Sequence, residues 1–222
     1  MSSQLRDLPL RGILIYVVNT ICFSVISLLV KELSIQFSIS ELLLVRFFCT
    51  FLGMALLIQF KGGFPLLRTR KVLDLAIRTA SGMIAIALCF VAFSGALLAD
   101  ATALVFSAPL FTLLLSIPVL SERINRPKIF AVLTGFLGVV LITRPGFNNV
   151  SPALYAALGS AIFFSIVTVW LRRLNQTVHP LAISFYYNLT GTLVFFLWSW
   201  SFGWSEAWSE IHGMLLLLGL IG

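Results

Sequence analysis

Charged residues are scarce in this 222-residue sequence: Asp, Glu, Lys and Arg make up 10% of it, against about 25% in a soluble domain. With 59% hydrophobic residues and a mean hydropathy of +1.05, this excludes a soluble globular fold and makes the lipid bilayer the solvent. Cysteine is nearly absent. Cys22, Cys49 and Cys89 lie in apolar runs without CxxC or metal-ligand spacing, so they read as small buried hydrophobes, with no metal site expected. The only histidines, His179 and His212, have no carboxylate or histidine cluster around them. A membrane enzyme working through a general base or a metal would lack its residues, so no catalytic residue is expected. No nucleotide-binding motif is present, which argues against ATP drive within this chain, and no cofactor is expected. The net charge of +7 comes from short basic clusters between apolar runs, so it reports membrane topology and predicts no nucleic-acid partner.

Apolar runs long enough to cross a bilayer fall at 12–30, 39–60, 73–98, 101–120, 127–143, 152–171 and 179–203. An eighth begins near Ile211 and reaches Gly222. The pattern predicts an all-α polytopic membrane protein with seven complete helices and the start of another. The first run is too long for a signal-peptide core and has no small-residue cleavage site, so it reads as a retained helix. Basic residues alternate between the connections. Arg6 and Arg11, then Lys61, Arg68, Arg70 and Lys71, then Arg123, Arg126 and Lys128, then Arg172 and Arg173 share one side, while Lys31 and Arg144 lie on the other. The positive-inside rule makes the first side cytoplasmic, with the N-terminus inside, in the cell (inner) membrane. A seven-helix receptor would need the opposite orientation.

The segment Phe23–Arg172 holds a repeat: Phe23-Ser24-Val25-Ile26-Ser27-Leu28-Leu29-Val30-Lys31 returns 141 residues later as Phe164-Ser165-Ile166-Val167-Thr168-Val169-Trp170-Leu171-Arg172. Five apolar runs separate the copies, and an odd number of crossings inverts the second copy relative to the first. Inverted repeats point to transport.

Polar residues inside apolar runs must face protein or water. Thr20, Ser24, Ser27 and Lys31 share one face of the first helix. Ala161, Ser165, Thr168 and Arg172 hold the same places on the sixth, and Asn19 is answered by Ser160. These stripes either let helices pack closely or line a shared central cavity that accepts a small-molecule substrate. Arg46 sits within the second span, where it either snorkels to the interface or faces the cavity; Glu41 lies off its face. Asp74 and Arg78 read as an interfacial pair one turn apart. Pro109 and Pro118, with Ser107, Thr112 and Ser116 around them, predict a bent or locally unwound fourth helix with freed carbonyls. Glu122-Arg123 closes that helix as a solvated pair or a gate contact. In the seventh helix Ser184, Tyr187, Asn188 and Gly191 share a face at mid-membrane depth, open to packing or to a cavity. Small residues at Ala131, Gly135 and Gly138, and at Ser81, Ala85, Cys89 and Ala92, favour tight packing, and Trp198, Trp200, Phe202, Trp204 and Trp208 form an interfacial belt.

Leu42-Leu43-Leu44-Val45-Arg46-Phe47-Phe48, then Phe106-Ser107-Ala108-Pro109-Leu110-Phe111-Thr112 leading to Ser121-Glu122-Arg123, then Gly135-Phe136-Leu137-Gly138-Val139-Val140-Leu141-Ile142 ending in Arg144-Pro145-Gly146, together resemble the EamA domain of the drug/metabolite transporter superfamily. The resemblance implies ten helices in two inverted five-helix repeats that carry metabolites, often amino acids or related compounds, by alternating access. It puts Arg46, Pro109 and Glu122 at recurrent family positions. The organisation it implies is a cytoplasmic N-terminus at 1–11, a first repeat at 12–146 and an incomplete second repeat at 152–222. Twice the 141-residue offset exceeds the 222 residues present, so the chain is expected to be a fragment, a truncation, or half of a fold completed by a second membrane chain. The expected function is secondary transport of a small polar metabolite. The alternative is a non-transporting fragment or a structural partner of another membrane protein.

Overall fold

The computed structural model describes residues 4–61, 63–120, 126–143, 151–205 and 213–221, and its regular structure there is entirely helical. The helices are α1 (Gln4–Leu33), α2 (Ile39–Lys61), α3 (Val72–Gly95), α4 (Leu98–Val105), α5 (Ala108–Leu120), α6 (Arg126–Thr143), α7 (Pro152–Leu174), α8 (Pro180–Phe202) and α9 (Gly213–Ile221), with a 3-10 turn at Phe64–Leu67. Among the described residues six stretches are long and apolar enough to span a membrane, α4 and α5 together forming one of them as Leu98–Val119. Where a seventh span is expected stands α6, whose apolar part is described over Val132–Leu141. Lipid is the natural environment of the outer faces: Ile13, Leu14, Ile15, Val18 and Ile21 of α1 are all exposed.

The 141-residue offset reappears in the helix bounds. Adding it to Leu33, the end of α1, gives Leu174, the end of α7, and adding it to α2 reproduces both ends of α8. The elbows between these helices carry matching hydrogen bonds. Phe37 N–H donates to the Leu33 carbonyl at 2.9 Å and Val178 to Leu174 at 2.8 Å; Leu42 donates to Ser38 at 3.2 Å and Ile183 to His179 at 3.3 Å. Ser38 precedes α2, and His179, its repeat counterpart, caps α8 by accepting the Leu181 N–H on Nδ1 at 3.2 Å. One of the first turn's orphan donors is thereby satisfied.

Packing joins helices far apart in the sequence. The pair α3 and α7 runs antiparallel over its whole length, from Asp74–Arg173 (3.6 Å) through Ser160 Oγ on the Ala85 carbonyl (2.9 Å) to Ser151 Oγ on the Gly95 carbonyl (3.4 Å). Between α2 and α8 the fully buried Phe47 ring lies 5.0 Å from Tyr187 and 5.4 Å from Phe195, and Phe51 lies 5.4 Å from Phe185. Gly191 permits this approach, because a Cβ there would overlap the Phe47 ring. The bundle thus forms two bodies: α3, α4, α5 and α7 in one, and α2, α8 and α9 in the other, with α1 packed on α3 and α9. Lys31 ties α1 to the first body by donating to the Ser94 and Ala96 carbonyls at 2.9 and 3.0 Å. A cation there is favoured by the negative end of the α3 dipole.

Candidate functional site

The expected break in the fourth span is present and falls just ahead of Pro109. Proline has no N–H, so the Val105 carbonyl loses its i+4 donor, and α4 ends at Val105. Ser107 turns the chain, its N–H and hydroxyl both reaching the Leu104 carbonyl at 3.0 and 2.6 Å. Pro118 lies inside α5 without ending it. Beside the break, between α5 and α7, is a cavity of about 540 Å³ lined by Ala108, Pro109, Thr112, Leu113, Ser116, Thr168 and Arg172. Three hydroxyl side chains and one guanidinium therefore converge on a volume suited to a small polar molecule. The hydroxyls of Thr112, Ser116 and Thr168 each donate to a carbonyl of their own helix, at 2.9, 2.8 and 2.9 Å. Their oxygen lone pairs are what they present beyond the helix.

A second polar cluster stands where α2, α3 and α8 meet. The Tyr187 ring packs on Gly82, where a Cβ would come within 2.8 Å of it, and its hydroxyl donates to the Gly82 carbonyl at 3.3 Å. Arg78 lies one turn earlier on α3 and stacks its guanidinium 4.0 Å from the Tyr187 ring centroid. Asp74, its expected partner, pairs with Arg173 of α7 instead. An antiparallel neighbour displaced the helical pairing read from i,i+4 spacing. Arg46 of α2 is half-buried, its guanidinium carbon 5.7 Å from the Phe47 ring. Asn188 is buried and donates to the Ser184 carbonyl at 2.9 Å.

The two stripes are separated. Ser165 is fully buried in α7 and bonds the Ile162 carbonyl at 2.5 Å, while Thr168 lines the α5–α7 cavity. On α1, Asn19 and Ser24 are exposed and Ser27 is buried, with the Ser24 and Ser27 hydroxyls held by the Thr20 and Ser24 carbonyls at 3.0 and 2.7 Å. The cavity that contains Thr168 contains no α1 residue. Glu122 lies outside the described residues. Among the described residues no group of three or more His, Cys, Asp or Glu could hold a metal ion.

Glu41, set aside in the sequence as lying off the face of Arg46, has a structural role of its own. It is fully buried; Oε2 accepts from the Ser38 N–H and hydroxyl at 2.7 and 2.8 Å, and Oε1 from the Ser205 N–H and hydroxyl at 2.7 and 3.0 Å. The Ser38-x-x-Glu41 capping box was the available signal.

Relatives place this geometry in a family. A pseudopaline exporter of Pseudomonas aeruginosa is 33% identical over 97% of this chain and 75% of its own length. An uncharacterized transporter of Helicobacter pylori is 30% identical over 87% of this chain and 67% of its own. Solute carrier family 35 member G1 of Mus musculus is 28% identical over 96% and 62%. No solved structure matches the chain. The EamA-like transporter family model matches residues 10–144, well over half of the sequence. With its apolar helices, broken fourth span and hydroxyl-lined cavity, the chain belongs to the EamA-like transporter family.

Proposed function

We propose that the chain works as a secondary transporter of small polar, amino-acid-like metabolites by alternating access in a fold of two inverted repeats, with its N-terminus on the cytoplasmic side. The observation that carries this reading is the cavity at the helix break. The hydroxyls of Thr112, Ser116 and Thr168 and the Arg172 guanidinium line it and offer adaptable oxygens and a cation to a zwitterion. The basic clusters at Lys61–Lys71 and Arg172–Arg173 support the orientation. The name of the Pseudomonas relative makes export the direction to test first.

Motion follows the packing and not the order of the sequence. Rocking the first repeat against the second would break both α3–α7 and α2–α8. The body of α3, α4, α5 and α7 moves instead against that of α2, α8 and α9, with Tyr187 on Gly82 at their joint. Efflux of a panel of labelled amino acids and related metabolites from cells expressing the chain tests the proposal. We expect at least one solute to be exported, and flux to fall about tenfold or more in Arg172→Gln through loss of a charge-assisted contact. No flux for any solute sinks the reading.

A further inference from the structure

The Arg78 side chain holds a positive charge inside a membrane-spanning helix, and its hydrogen bonds are incomplete. Its Nε and Nη1 are buried and have no acceptor. The Tyr187 ring covers one face of the guanidinium at 4.0 Å, but a ring face does not accept in-plane N–H bonds. The nearest carboxylate along α3, Asp74, is engaged by Arg173, and the Tyr187 hydroxyl is engaged by the Gly82 carbonyl.

A second orphan donor belongs to the same interface. Trp170 Nε1 of α7 is buried and unpaired. Trp170 follows Gly159 by eleven residues, about three helical turns, and so shares the face on which Gly159 meets Leu88 of α3. The antiparallel register, bracketed by Asp74–Arg173 and Ala85–Ser160, sets Trp170 at the level of Arg78.

Buried donors are rarely left unmade, and a lone cation in a medium of low dielectric is costly. One positive charge with neighbouring N–H donors and no acceptor is chemically complementary to one negative charge. We infer that Arg78 and Trp170, backed by Tyr187, form a binding site for a small monovalent anion, a carboxylate or a halide, between α3, α7 and α8. It lies across α7 from the α5–α7 cavity, so it is distinct from the proposed substrate cavity. A divalent anion would leave a net charge uncompensated there.

Binding is read on the purified chain in lipid nanodiscs, without transport, so it stands or falls separately from the transport reading. Sodium acetate and sodium chloride are titrated against sodium sulfate at matched ionic strength, following the unfolding midpoint. We expect a saturable rise with acetate, chloride or both, and none with sulfate; the ion that saturates identifies the carboxylate or halide source. Half-saturation should weaken roughly tenfold or more in Arg78→Gln, less in Arg78→Lys, and a few-fold in Trp170→Phe, as expected for losing charge-assisted and neutral hydrogen bonds. No saturable rise with either ion in the unaltered chain, saturation by sulfate alone, or unchanged half-saturation in Arg78→Gln overturns the site. Should Arg78→Gln fail to fold, unchanged acetate and chloride binding in Trp170→Phe overturns it equally.

Discussion

Glu41 and Ser205, 164 positions apart, are joined by two hydrogen bonds to one carboxylate oxygen, from the serine N–H at 2.7 Å and its hydroxyl at 3.0 Å. The other oxygen caps the start of α2 through Ser38. One buried carboxylate therefore fastens the segment after α8 to the start of α2. At the opposite end of the bundle the corresponding position is Ala182, and the 3-10 turn is held there by the Tyr186 hydroxyl on the Leu67 carbonyl at 3.1 Å. Replacing Glu41 with Ala leaves four donors without their acceptor and should cost about 2–4 kcal/mol of stability; Ser205→Ala should cost about 1 kcal/mol. Equilibrium unfolding in mixed micelles measures both, and a Glu41→Ala chain as stable as the unaltered one refutes the fastening.

Gly191 has no room for a methyl group against Phe47. Gly191→Ala should destabilise the α2–α8 pair by about 1–3 kcal/mol, the usual cost of overpacking. Adding Phe47→Leu should recover part of the loss, so a double-mutant cycle with no coupling would contradict the contact.

His179 caps α8 through a ring nitrogen, a weaker choice than the serine at its counterpart Ser38. His179→Ser should therefore preserve stability, whereas His179→Ala should lower it by about 0.5–2 kcal/mol. Thermal unfolding of the two variants side by side decides the point.

Pro109→Ala supplies the N–H that the Val105 carbonyl lacks. We expect α4 and α5 to merge, stability to hold or rise, and metabolite flux to drop severalfold or more as the broken helix is repaired. Unchanged flux would return Pro109 to a purely structural role.

Much of this was legible in the sequence. The apolar runs located the helices, the 141-residue offset paired positions of α1 with those of α7, and Pro109 announced the break beside the α5–α7 cavity. Side-chain partners were less legible. Hydroxyls within helices bond back to their own carbonyls, so the stripe through Ser24 and Ser27 matched that of α7 in spacing without sharing its cavity. Arg78 sits one turn from Asp74, yet α7 claimed the carboxylate, and no local spacing reports a neighbour from a helix so distant in the sequence. Ser205 was invisible as a partner of Glu41 for the same reason.

The α3–α7 pairing also sets an order of events during synthesis. Arg173 is translated 99 residues after Asp74, roughly 5–20 s later at ordinary elongation rates. For that interval α3 stands in the bilayer with Asp74 lacking Arg173, Arg78 lacking the Tyr187 ring and the Ala85 carbonyl lacking the Ser160 hydroxyl. Until α7 and α8 arrive, the newborn chain holds α3 against α1, through Lys31, and against α2, which leaves the face meant for α7 to lipid, the translocon or a membrane chaperone.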